Sequence, residues 1–288
     1  MSRKISPPPD RNPRTPRLKP PPGACDCHFH IFGPQAIYPL HPSRKVDIED
    51  STFDDWQKMQ AALGLSRGLL VGSGLHYFSY EHLLHWLSCA PERLRGVAIV
   101  PPGITDAELE VLTEAGVVGA RFYPDPDLQP MVDRRIVARV HELGWHPHYL
   151  VRSAEQFMEW RDDMLASPGD FVIEHSGRPR PSDGLNSPQF RALLEMVDTG
   201  RCWIKLSPRF SAEKTLPFSD TLPFLHALIE HAPERMLWGS DWPHPNYFDP
   251  MPNDADLLDL MLEWAPDEAV RSRIFVDNPE KLFGFPPA

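Results

Sequence analysis

From Ala24 onward, short apolar runs rich in β-branched residues alternate with longer stretches in which apolar positions recur at helical spacing. The short runs cover 24–32, 68–73, 94–100, 117–123, 146–151, 170–176, 202–207 and 236–242. Runs of this length between turn signals read as buried strands, and their alternation with helices is the pattern of parallel βα units. Eight is the number that closes a barrel, so the pattern predicts an α/β chain folded as a (β/α)8 TIM barrel.

The intervening helices carry their own start and stop signals. Thr105 with Glu108 forms a capping box ahead of Leu109 and Leu112, and Gly116 ends that segment. Ser187-Pro188 supplies an N-cap and an N1 proline, Leu193, Leu194 and Val197 form the apolar stripe, and Gly200 closes it. Asp133 opens another helix, with Ile136, Val137, Val140 and Leu143 facing inward and Gly144 at its end. Helices are also expected over 52–63, 79–88, 153–165, 220–231 and 254–264, then one from Asp267 that with a tail over 277–285 covers the outside of the barrel. The least regular connection, 33–51, follows the first strand and is placed to fold over the mouth.

Composition adds the boundaries. Residues 1–22 are proline-rich and basic with almost nothing apolar, which predicts an extended, flexible arm, read as a disordered tail or as a strap crossing a neighbouring subunit in a homo-oligomer. Residues 23–288 then form one catalytic domain, a size that a single barrel reaches. A net charge of -11 argues against a nucleic-acid footprint and points to small-molecule partners. Cys25, Cys27, Cys89 and Cys202 form no paired framework, and Cys25 and Cys27 read as barrel-core thiols. No apolar run approaches a bilayer span and no secretory h-region is present, so the expected location is cytoplasmic with no membrane partner.

The chemistry begins at Cys25-Asp26-Cys27-His28-Phe29-His30, where alternation along a strand puts two imidazoles on one face. Residues at the carboxyl ends of barrel strands converge on one pocket. The strands offer Ser73 and His76, Arg121 and Tyr123, His148 or a neighbour, His175 and Ser176, Lys205, Ser207 and Arg209, and Asp241. Lys205 reads as an ion-pair partner within the barrel, and His82, His85, His226 and His231 as solvated helix residues. A carboxylate on the last strand facing those histidines can take a proton from water, while imidazoles or a bound metal stabilise the oxyanion on a carbonyl.

His28-Phe29-His30, Glu174-His175-Ser176-Gly177-Arg178-Pro179 and Trp238-Gly239-Ser240-Asp241-Trp242-Pro243-His244-Pro245 resemble the motifs of the amidohydrolase superfamily, in the family 2 branch that includes the pyrone-dicarboxylate lactonases. The likeness extends to Gly119-Ala120-Arg121-Phe122, Gly144-Trp145-His146 and the ending Asn278-Pro279-Glu280-Lys281-Leu282-Phe283-Gly284-Phe285. It implies a barrel that hydrolyses a small carboxylated lactone of the pyrone, muconolactone or sugar-lactone kind, in the pyrone lactonases without a divalent metal. On matching positions, Asp241 would activate water, and His28, His30 and His175 would polarise the carbonyl or hold the leaving group. Ser73, Tyr123 and His148 would border the substrate, Arg121 would grip its carboxylate, and Arg209 would be a second anionic contact.

Two departures bear on the substrate. Where the pyrone lactonases carry an arginine six residues past the one matched by Arg121, this chain has Asp127, which would repel a dicarboxylate. On the fifth strand the family's tyrosine or histidine is replaced by Leu150, leaving His148, Tyr149 or Leu150 as the inward residue. The branch also contains zinc hydrolases and aromatic-acid decarboxylases, for which His28, His30, His175 and Asp241 would be the metal ligands. From outside enzymology, the competing reading is a catalytically silent barrel that binds a small anion.

Overall fold

The computed structural model describes residues 3–125, 132–245 and 250–288. One parallel sheet contains β1 (Cys25–Phe29), β2 (Arg67–Val71), β3 (Leu94–Ala98), β4 (Val117–Phe122), β5 (His146–Tyr149), β6 (Phe171–Ile173), β7 (Cys202–Leu206) and β8 (Met236–Trp238), in chain order. Closure runs through the residues just past β8. Trp242 bridges Phe29, the His30 amide donates to the Trp242 carbonyl at 2.7 Å, and the Asp241 amide donates to the His28 carbonyl at 2.7 Å. Gly239 permits this approach, because a Cβ there would lie 2.6 Å from the His28 Cβ and 2.7 Å from its backbone nitrogen.

The fold is the (β/α)8 barrel that the alternating pattern predicts. The caps fall where expected: Glu108 accepts from the Thr105 amide at 2.8 Å, Ser187 accepts from the Phe190 amide at 3.3 Å, and Asp133 accepts from the Arg135 amide at 2.9 Å. Every predicted strand except the fourth and seventh overruns its observed carboxyl end by two to four residues. That overrun has a physical cause: the apolar pattern continues while the backbone leaves the ladder to present side chains to the mouth, as at His30, Ser73, His175 and Asp241.

Inside the barrel, Cys25, Cys27, Leu69, Val71, Val97, Val172, Trp203 and Leu237 form a buried layer that Leu282, Phe283 and Phe285 extend. The tail seals the amino end of the barrel, where Arg67 binds Glu280 at 2.7 Å and the Pro286 carbonyl at 2.6 Å, and Arg95 lies over the Phe285 ring at 4.9 Å. The opposite end is left for chemistry.

The connection after β1 is pinched at its base by Phe32 and Ser51, whose amides and carbonyls exchange bonds of 2.9 and 2.6 Å. The proline-rich arm, expected to be flexible, lies along this connection. Lys4–Ile5 pairs with Val46–Asp47, the Ser6 amide donates to the Asp47 carbonyl at 2.7 Å, and Arg3 donates to the Arg44 carbonyl at 3.0 Å. Farther along, Arg11 meets Asp55 at 3.1 Å and Arg17 meets Asp259 at 3.0 Å, while Leu18 is buried. Beside the buried Leu18, the arm is held by arginines meeting carboxylates distant in the chain.

Candidate active site

Each side chain of the site leaves the end of a strand. His28 and His30 come from β1 and its exit, His175 follows β6 with φ 50°, and Asp241 follows β8 with φ 62°. Left-handed backbone at such residues is uncommon and clusters at functional sites. The structure brings all four together: Asp241 Oδ1 lies 3.5 Å from His28 Nε2, 3.7 Å from His30 Nε2 and 3.9 Å from His175 Nε2. These separations are longer than hydrogen bonds and leave a shared polar gap among the four side chains.

Burial pushes all three imidazoles well below their ordinary range, and surrounding cations push the same way, so the rings are neutral. Burial raises Asp241, against the pull of the Arg209 guanidinium, which pairs with its Oδ2. His30 is fixed by the Val71 carbonyl, 2.7 Å from its Nδ1. A carbonyl only accepts, so Nδ1 holds the proton and Nε2 presents a lone pair to the site.

Behind the quartet lies a fully buried charge network. Arg121 donates to Glu174 Oε2 from Nε at 3.0 Å and Nη2 at 2.6 Å, and from Nη1 to the Gly72 carbonyl at 2.8 Å. Lys205, pushed down to about 8 by burial, lies 3.9 Å from Glu174 Oε1 and 3.2 Å from His28 Nδ1. Asp26 underpins the same strand ends: it accepts from the Ser240 amide at 2.8 Å and hydroxyl at 2.7 Å.

In front of the quartet is a cleft of about 330 Å³. Its wall carries Arg44, Lys45, Arg121, Arg152, Arg178 and Arg209 against Asp125 and Asp241, a local cationic excess in an acidic chain. Arg44 and Lys45 come from the pinched connection, and Lys45 meets Asp125 at 2.8 Å. Ser73 and Tyr123 line the cleft, and Arg152 lies over the Tyr123 ring at 5.1 Å.

Several expectations change. Arg121, read as the grip on a substrate carboxylate, lines the cleft and also donates to Glu174 and Gly72, partners that the sequence does not show. Arg209 lines the cleft as expected but is engaged with Asp241. His148 does not border the cleft: it is buried inside the barrel, stacked on Phe283 with ring centroids 6.1 Å apart. Leu150 is the fifth-strand residue at the mouth, and Tyr149 points outward to Ser167 at 2.8 Å. His82, expected on a solvated face, is buried against His76, their centroids 3.7 Å apart. Asp127 lies outside the described residues. Glu174 carried no role in the sequence reading, and its place inside the Glu-His-Ser-Gly motif is the signal that marks it.

An eight-stranded parallel barrel with imidazoles and a carboxylate at its carboxyl end, under a cationic cleft, defines a class: hydrolytic barrel enzymes. The chain belongs to the amidohydrolase family 2, whose model matches residues 25–285, and it is a hydrolase of that family. It is 35% identical to the 4-sulfomuconolactone hydrolase of Hydrogenophaga intermedia over 92% of this chain and 89% of that one. It is 32% identical to the 2-pyrone-4,6-dicarboxylate hydrolase of Comamonas testosteroni, over 94% and 93% of the two chains. A solved apo structure from Agrobacterium tumefaciens superimposes with a TM-score of 0.84 at 28% identity, covering 95% of this chain and all of that one. Among the described residues no helix is long and apolar enough to cross a membrane.

Proposed function

We propose that this chain hydrolyses a small lactone bearing a carboxylate or sulfonate, in the cytoplasm, with Asp241 as general base and neutral His28 as the donor that polarises the carbonyl. The observation that carries this reading is the single carboxylate oxygen facing three imidazole Nε2 atoms, with Asp241, His30 and His175 lining a cationic cleft and His28 buried behind them. Asp241 takes a proton from water and the water oxygen bonds to the lactone carbonyl carbon. The His28 side of the gap meets the developing oxyanion, where a positioned donor is worth about 3 kcal/mol. The ring C–O bond then breaks, and the leaving oxygen receives the proton that Asp241 holds. Arg209 keeps Asp241 aimed, and Arg152 and Lys45, at the rim, face the substrate's acidic group. The names of the two relatives support an anionic lactone as the substrate.

A metal-dependent reading has one observation in its favour: ligand atoms of His28, His175 and Asp241 lie within 4.8 Å of one another. By protonation His28 does not fit as a zinc ligand, because its Nδ1 meets an ammonium. A ligating imidazole ordinarily gives its far N–H to an acceptor. We therefore derive no step through a metal. A panel of pyrone, mucono-, sulfomucono- and sugar lactones, assayed before and after treatment with a chelator, tests both points. The expected result is ring opening of an anionic lactone at an unchanged rate after chelation. Carbon dioxide release, or activity lost with zinc and restored by it, would overturn the reading.

The arm contributes through the pinched connection. Deleting residues 1–9 removes the pairing with Val46–Asp47 and the Arg3 contact to Arg44, and so loosens Lys45 at the rim. The expected result is a KM raised by roughly five- to tenfold with kcat within about twofold, since rim ordering affects binding before chemistry. Steady-state kinetics of the truncated chain check this, and an unchanged KM would show that the rim holds its shape unaided.

A further inference from the structure

The Nδ1 atom of His28 faces away from the cleft, into the barrel, and two groups meet it there. Lys205 Nζ lies at 3.2 Å and Glu174 Oε1 at 3.8 Å. They make opposite demands, since an ammonium only donates and needs a lone pair on Nδ1, whereas a carboxylate only accepts and needs an N–H. The distances favour the lysine. The cleft side gives an independent check. His30 holds its proton on Nδ1 for the Val71 carbonyl, so its Nε2 is an acceptor, and His28 Nε2 lies 3.3 Å from it. Those two nitrogens bond only when His28 carries its proton on Nε2.

We propose that Lys205 is a positioning residue that locks His28 as the Nε2–H tautomer, so that its one N–H, given to His30 in the resting site, passes to the substrate's carbonyl oxygen when substrate enters, and His28 is barred from ligating a metal. The first half rests on the lactonase reading; the second does not. In metal sites of histidines, an outer carboxylate takes the far N–H of the ligand and turns a lone pair toward the ion. Glu174 stands where such a carboxylate would stand, with Oε1 buried and without a hydrogen bond. The lysine, 1% exposed, sits closer and decides the proton's place.

Two measurements that need no substrate test the lock. In wild-type protein labelled with 15N-histidine, with His28 assigned by comparison with His28→Gln, the expected spectrum shows Nε2 protonated and Nδ1 bare. A protonated Nδ1 overturns the proposal. In Lys205→Met, Glu174 becomes the partner of Nδ1, so calorimetry with zinc chloride should show an affinity at least about tenfold above wild type, the scale of outer-shell effects. Zinc binding equal to wild type in a folded Lys205→Met, or stoichiometric zinc held by wild type through His28, overturns the metal half. If the variant does not fold, the wild-type spectrum and zinc titration still decide. On a lactone turned over by wild type, kcat of Lys205→Met should fall by roughly 100-fold with KM little changed. Failure of every lactone to react would count against the functional reading and leave the tautomer measurement intact.

Discussion

Asp241→Asn is expected to lower kcat by about three to four orders of magnitude while the protein stays folded, because an amide cannot accept the proton from water. The substitution is well tolerated by the backbone. Asp241 has φ 62°, and asparagine is among the few residues that adopt this conformation readily. The backbone bonds at this position, from the Asp241 amide to the His28 carbonyl and from the His244 amide to the Asp241 carbonyl, both 2.7 Å, do not involve the side chain. Asparagine keeps an acceptor for Arg209 but not the charge, so stability should fall by about 1–3 kcal/mol. Turnover measured beside circular dichroism and urea unfolding checks the pair of outcomes. A folded variant with wild-type turnover would remove Asp241 from its role.

The second large effect is thermodynamic. Glu174→Gln is expected to destabilise the barrel by about 3–5 kcal/mol, since removing one partner of a buried ion pair leaves the other charge uncompensated. Here two cations depend on it. Arg121 holds Glu174 with two nitrogens, at 3.0 and 2.6 Å, and Lys205 lies 3.9 Å from its other oxygen. Glutamine keeps the shape and one acceptor while Arg121 and Lys205 remain buried. The shift of the urea midpoint, at unchanged slope, gives the magnitude. A loss below about 1 kcal/mol would show that these charges do not act as a unit.

Much of this molecule was legible along the chain, for local reasons. Strands and helices are specified by periodicities spanning a few residues, and caps such as Thr105 with Glu108 lie within one turn. The quartet could be read because His28, His30, His175 and Asp241 sit at strand ends, where the barrel directs them to one place. What could not be read depends on partners far apart in sequence. Only the fold shows Glu174 against Arg121, and Lys205, read as an ion-pair partner within the barrel, is found beside the His28 ring as well as Glu174. His148 and Leu150 both point inward by strand alternation, and only their depth separates a stacked interior residue from one at the mouth. The course of the arm depends on distance in the same way: its arginines meet Asp55 and Asp259, partners that a proline-rich composition does not name.

The way the ring of strands is sealed has one more consequence. Because the closing ladder is made by the backbones of His28, His30, Asp241 and Trp242 themselves, the spacing between base and imidazoles is written into main-chain bonds and not into the loops. The rim, built from the pinched connection and the arm, is attached separately. Such a division lets descent proceed in two independent parts, the reacting geometry inherited unaltered while the entrance is rewritten for a ring of another size or charge.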